Sequence, residues 1–236
     1  MYGQERSPGP GPDFAWIPES KGLAKLFMGT RKRHEVLAGR SLRLFVYPWG
    51  VRWINGDEEV SVGWDEVTHV WQAITRHSAN GSPTYTDYRY TVRLADGRSR
   101  EFRGTLPARS ARASGAVQLE PTPGAVKPVT IEQLGRLLES GVTRAQLPKA
   151  IDRLNAGQAV SFGPLTVSPS GIAAGDQSLP WSEIEEVETR KGMVSVKRSG
   201  KWLAWKRAQV SEIPNYFIFD ALVRAILAQR PSATPR

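Results

Sequence analysis

Between Lys197 and Arg207 the chain reads Lys-Arg-Ser-Gly-Lys-Trp-Leu-Ala-Trp-Lys-Arg, five cations and two indoles in eleven residues. A strand displays alternate residues on opposite faces, so a hairpin turning at Arg198-Ser199-Gly200 puts Trp202, Ala204 and Lys206 on one side and Leu203 and Trp205 on the other. With Leu203 and Trp205 filling a core, Trp202 is left on the surface among cations. An aromatic ring among positive charges suits a phosphate backbone, an anionic lipid surface or an acidic peptide. Lys197, Arg198, Lys201, Trp202, Lys206 and Arg207 are therefore the leading candidate binding residues. A second basic cluster, Arg31, Lys32 and Arg33, joins them as a further candidate.

Catalytic constellations are not apparent in the chain. The three histidines, His34, His69 and His77, stand in no metal-ligand spacing, and a structural or surface role is expected for each. Glu183, Glu185, Glu186 and Glu188 form an acidic run that Asp65 and Glu66 partly match. Such carboxylates can serve acid–base work or a hard cation. Here they are expected to line a solvated strand whose Ile184 and Val187 face inward. There is no cysteine, which removes disulfides, thiolate metal sites and cysteine nucleophiles, and no phosphate-binding or dinucleotide glycine motif occurs. The expectation is a protein without catalytic residues, bound metal or cofactor.

The elements that must position these residues are announced by a repeat. Leu44, Val46, Pro48, Gly50 and Val51 recur at identical spacing as Leu165, Val167, Pro169, Gly171 and Ile172. Each copy then reaches a tryptophan in one setting: Trp64, Glu66, Val67 and Val70, then Trp181, Glu183, Ile184 and Val187. The chain is thus a duplicated β-rich unit, and the two tryptophans are expected in cores rather than on a stacking surface. In the first copy Asn55-Gly56 marks a hairpin, and Tyr88, Tyr90, Val92 and Leu94 alternate with Arg89, Thr91, Arg93 and Ala95 before an Asp96-Gly97 turn. Strand signals begin after Gly39, and Lys21 to Ala38 has room for a short helix. Thr130 and Gln133 form a capping-box pattern ahead of Ile131, Leu134, Leu137 and Leu138, a helix closing the first copy. A separate helix is expected from about Pro148. In the second copy Val194 and Val196 should meet Leu203 and Trp205 across the turn, and Pro214 opens a helix carrying Phe219, Leu222, Val223 and Ile226 inward.

The 236 residues, 40% hydrophobic with eight tryptophans, suffice for a core in each half. A net charge of +9 favours an anionic partner, yet it is spread evenly, 17 Lys and Arg against 13 Asp and Glu up to residue 125 and 15 against 10 beyond it. The amino-terminal stretch has no apolar signal region, and the most apolar window, Tyr216 to Ala228, is short and broken by Asp220 and Arg224. The expectation is a cytoplasmic protein with no transmembrane segment.

Short strands, an acidic stretch after a tryptophan, a further hairpin and a closing helix together resemble the pleckstrin-homology-like (PH-like) fold. The motifs Phe162 to Val167, Gly171-Ile172, Leu179 to Ile184 and Ile213-Pro214-Asn215 resemble, more narrowly, uncharacterised bacterial proteins with two such domains in tandem. The resemblance implies an α+β, mainly β fold: two PH-like domains, each of antiparallel strands closed by a C-terminal amphipathic helix. The expected layout is a tail at 1–20, a first domain over 21–141 with an insertion near 107–128, a second domain over 142–230 and a tail at 231–236. It also implies binding rather than catalysis. Lipid-binding PH domains grip a head group with basic residues in the loop joining their first two strands. The loops read as equivalent here, Tyr47 to Gly50 and Ser168 to Gly171, have none. A protein or peptide partner is the leading expectation, with attachment at the inner face of an anionic membrane second and nucleic acid third.

Overall fold

The computed structural model describes residues 34–37, 42–108 and 130–229. The expected tails, nearly all of the 107–128 insertion and the Arg31-Lys32-Arg33 cluster lie outside the described residues. An antiparallel meander comes first: β1 (His34–Leu37), β2 (Leu42–Tyr47), β3 (Gly50–Asn55) and β4 (Glu58–Gly63). A three-stranded antiparallel sheet follows, of β5 (Val67–Ala79), β6 (Ser82–Leu94) and β7 (Ser99–Pro107), and then helix α1 (Ile131–Asn155). The order then repeats. β8 (Val160–Phe162), β9 (Leu165–Val167), β10 (Gly171–Ala174) and β11 (Gln177–Pro180) form a second four-stranded sheet. β12 (Ile184–Arg190), β13 (Met193–Arg198) and β14 (Ala204–Gln209) form a second three-stranded sheet, and α2 (Tyr216–Ala228) closes the chain. The architecture is mainly β with two helices, in the α+β class.

The turns fall where glycine permits a left-handed backbone. Gly56, Gly97 and Gly200, at φ of 62°, 86° and 70°, turn three of the hairpins legible in the sequence. The repeated Pro-x-Gly and Trp motifs build one corner twice. The Trp64 N–H donates to the Trp49 carbonyl at 3.2 Å, and the Trp181 N–H donates to the Ser170 carbonyl at 3.0 Å, the matching position of the second copy. Both indoles are buried, as expected. Their N–H groups differ: Trp181 Nε1 donates to the Ser168 carbonyl at 2.9 Å, whereas buried Trp64 Nε1 has no partner among the described residues.

Two local expectations are corrected. His34–Leu37 is a strand pairing antiparallel with β2, not part of a helix, because its neighbour offers an unpaired strand edge that a short isolated helix could not match. The two helices expected between Thr130 and Gly157 are one helix of 25 residues. Pro148 reads in sequence as the start of a new helix. Burial of Leu134, Leu137, Leu138 and Val142 before Pro148, and of Ala150 and Leu154 after it, holds the helix through it. Its start is as expected: Thr130 Oγ1 accepts from the Gln133 N–H at 3.2 Å and Gln133 Oε1 accepts from the Thr130 N–H at 2.8 Å.

Glycines in α1 mark where aromatics of the first copy press against it. A Cβ on Gly135 would stand 2.7 Å from Tyr90 Cε1 and closer still to Cζ and the hydroxyl, and one on Gly141 would stand 2.5 Å from Trp64 Cδ2 and closer still to Cε2. Gly141→Ala is therefore expected to lower stability by about 1–3 kcal/mol, although alanine is the better helix former. Thermal unfolding followed by tryptophan fluorescence checks this. An unchanged or raised midpoint would show that Trp64 can move aside.

The halves share one hydrophobic core, running from Val46 and Trp53 through Leu134, Leu138 and Leu154 to Phe162, Phe219 and Ile226. At the seam stands Asn215, just ahead of α2. Its backbone N–H donates to the Val70 carbonyl at 2.8 Å, its Oδ1 accepts from the Val70 N–H at 2.9 Å, and its Nδ2 donates to the Thr68 carbonyl at 2.8 Å. Asn215 thus occupies the free edge of β5 as a strand residue would, and spends on that edge the side chain that would otherwise cap α2.

Candidate functional site

The cations and carboxylates that look separate in sequence face each other across β12 and β13. The antiparallel register sets Glu186 opposite Lys197 and Glu188 opposite Ser195. Lys197 Nζ lies 2.7 Å from Glu186 Oε2 and 3.7 Å from Glu188 Oε2, and Arg198 Nη2 lies 2.6 Å from Glu183 Oε2. The hydrogen bond and the charge of Glu186 hold the Lys197 ammonium above its ordinary pKa, so it stays charged but engaged. The acidic run is a partly solvated strand, with Ile184 buried and Val187 packed against the core.

The β13–β14 connection departs from the expected register. Val194 pairs with Ala208, Val196 with Lys206 and Lys197 with Ala204, with a bulge at that last step. Trp205 takes the extra position and packs half-buried against the core. Leu203, expected to fill the core, is instead 57% exposed. The five residues Ser199 to Leu203 form the connection, anchored by the Ser199 N–H donating to the Glu183 carbonyl at 2.8 Å. At its tip Trp202 is 89% exposed, more than any other large hydrophobic side chain described. A tryptophan and a leucine side by side in water are an unfavourable surface that a binding partner relieves.

Of the six candidate residues, Lys197 and Arg198 are ion-paired, while Lys201, Lys206 and Arg207 have no acidic partner among the described residues. Lys201 and Arg207 are exposed; Lys206 is half-buried, opposite Val196 on the inner side of the sheet. The site is a projecting apolar tip with a few free cations beside it, not the continuous basic ribbon its sequence describes.

The strand order also corrects which loops join the first two strands of each copy. Because β1 and β8 come first, Tyr47 to Gly50 and Ser168 to Gly171 join the second and third strands. In the second copy the first connection is Gly163-Pro164, a two-residue turn with no cation. Its place in the first copy falls at residues 38–41, outside the described residues.

Elsewhere, His69 Nδ1 lies 3.0 Å from Thr68 Oγ1, and burial, then the Arg93 charge, pull the His69 pKa below its usual value. His77 Nε2 lies 3.0 Å from Asp87 Oδ2. Among the described residues no three acidic or histidine side chains gather as a metal site, and no helix is long and apolar enough to cross a membrane.

Residues 128–232 match a sequence family described as Family of unknown function (DUF6585). The match takes in α1 together with the whole second copy and leaves out β1–β7. Comparison with curated proteins finds no match.

Proposed function

We propose that this chain is a tandem PH-like protein that works by binding rather than catalysis, and that it recognises a protein or peptide partner through the β13–β14 loop. Four strands, three strands and a closing helix, in that order and twice over, support the PH-like reading. The observation that carries the binding site is the 89% exposure of Trp202 beside exposed Leu203. Tryptophan is enriched among the few residues that dominate interface energies, and a tip of this shape fits a pocket on a partner. A protein is favoured over a lipid head group because the first connection of the second copy has no cation and two of the loop's nearest cations are already held by glutamates.

A second reading rests on the same tip. Trp202 and Leu203 beside Lys201 suit the interface of an anionic bilayer. Two measurements on one variant separate the two. Trp202→Ala with Leu203→Ser should fold normally, since both side chains lie in solvent, and should lose at least about tenfold in recovery of a specific partner from native lysate. Sedimentation with anionic vesicles should be weak and equal for variant and parent. Vesicle binding that depends on Trp202 would replace the protein partner by the membrane, and capture no better than background would count against the proposal.

A further inference from the structure

The outward face of the β5–β6–β7 sheet is a second surface, independent of the Trp202 loop. Register places His69, Trp71, Ala73, Thr75 and His77 of β5 on this face, beside Arg93, Thr91, Arg89, Asp87 and Tyr85 of β6. Val70, Tyr90, Val92 and Phe102 point the other way, into the core. None of the outward side chains is buried. The face is open.

Its rings are ordered. His69 stacks on Trp71 with centroids 5.2 Å apart and planes 10° from parallel, and His77 stacks on Tyr85 across the strands at 4.2 Å and 16°. Two residues apart on one strand, parallel rings must stand up from the sheet like pages, with His69 covering one flank of the indole. The next residue on that side of the strand is Ala73, whose side chain is a single methyl group, with Arg89 aligned beside it on β6. Between Trp71 and His77 the floor is Ala73 and Thr75, a span of roughly 20 Å at about 3.3 Å per residue.

Cations border this floor. Ala73 is aligned with Arg89, and Arg89 with Arg103 of β7; Arg93 lies beside His69. Glu101 serves both Arg89, at 3.9 Å, and Arg103, so one carboxylate is divided between two guanidiniums. Asp87 is occupied by His77 at 3.0 Å and by Thr105 Oγ1, which donates to it at 2.6 Å. Arg89, Arg93 and Arg103 against Glu101 and Asp87 leave an excess of positive charge beside a half-exposed indole, in a chain of net charge +9. An indole face takes a flat ring, and guanidiniums one strand away take anions at regular intervals. A single-stranded nucleic acid supplies both along one chain.

We propose that this face binds single-stranded nucleic acid, with a base stacked on the flank of Trp71 that faces Ala73, away from His69, and the backbone phosphates along Arg89, Arg93 and Arg103. Recognition is by ring and charge, so it tolerates different sequences.

Fluorescence anisotropy of the full chain with a labelled twelve-nucleotide oligo-U or oligo-dT, between 50 and 300 mM salt, tests this. Binding is expected at low salt, with log K falling against log salt at a slope of about −2, as three phosphate contacts give on a single strand. Trp71→Leu keeps apolar bulk on the sheet and should weaken binding at least about fivefold with the slope unchanged, whereas Trp71→Phe should retain most of it. Arg93→Ala should make the slope shallower by about 0.7. Trp202→Ala should change nothing, which separates this surface from the loop. The proposal is overturned by no binding at 50 mM salt, by a Trp71→Leu protein that binds like the parent, or by loss of binding through Trp202 instead.

Discussion

Gly171→Ala should lower the stability of the protein by about 3 kcal/mol and its unfolding midpoint by about 6–12 °C. Gly171 opens β10 opposite Pro180 of β11, and its backbone does not need a left-handed φ. What it needs is space. A Cβ there would stand 2.9 Å from the Leu179 carbonyl carbon and from Pro180 Cα, and closer still to the Leu179 oxygen. All three are backbone atoms of the paired strand and cannot rotate away as a side chain end would. Gly50 meets the same obstacle in the first copy, with Val62 C at 2.9 Å and Gly63 Cα at 3.0 Å, so Gly50→Ala should cost a similar amount. Gly56→Ala is the contrasting case: nothing lies within 4 Å and the change sacrifices only the left-handed backbone at φ 62°, about 1 kcal/mol. Thermal or denaturant unfolding of the three variants decides it. Equal losses at Gly56 and Gly171 would mean that backbone freedom, not the close strand crossing, explains the repeated glycine.

The Asn215→Ala protein should lose about 3 kcal/mol and, unlike the glycine variants, should loosen the first copy from the second. Two side-chain hydrogen bonds to β5 disappear, leaving the Val70 N–H and the Thr68 carbonyl partly buried without them, at about 1–2 kcal/mol each. Alanine also tolerates φ 52° less well than asparagine, by about 1 kcal/mol. Asn215→Gly removes the backbone strain but not the lost bonds, so it should recover only a minor part. Hydrogen exchange reads the result directly: faster exchange concentrated at the Val70 amide and along the free edge of β5 in both variants, with the β13 amides little changed. Uniform acceleration across both copies would assign Asn215 no special part in holding the seam.

Much of this architecture can be read from the residues. Gly56, Gly97 and Gly200 fix hairpins because their φ values suit few other residues, and Thr130 with Gln133 fixes a helix start because the two side chains satisfy local donors. The inward faces of β6 and α2 follow from spacing alone. What escapes sequence reading depends on distant partners. Pro148 reads as a helix start, and only the core along α1 carries the helix through it. Asn215 gives no local sign that its amide completes an edge 145 residues earlier. Along the candidate loop, the composition reveals the cations and indoles but not the bulge at Trp205, which turns Leu203 out to solvent beside Trp202. The glutamates that engage Lys197 and Arg198 are visible in sequence, but strand register alone sets them opposite.

The two copies agree in the residues that form corners and cores and differ in what they display. Trp49 of the first copy is 54% exposed but lies stacked on Tyr47, with centroids 4.9 Å apart, while Trp202 projects at 89% from the second. Site-specific photocrosslinking in living cells, with the reactive group placed in turn at positions 202 and 49, therefore tests the binding proposal most directly. A discrete protein adduct is expected from position 202 and none from position 49. Adducts of equal yield from both positions, or adducts to lipid alone from position 202, would contradict it.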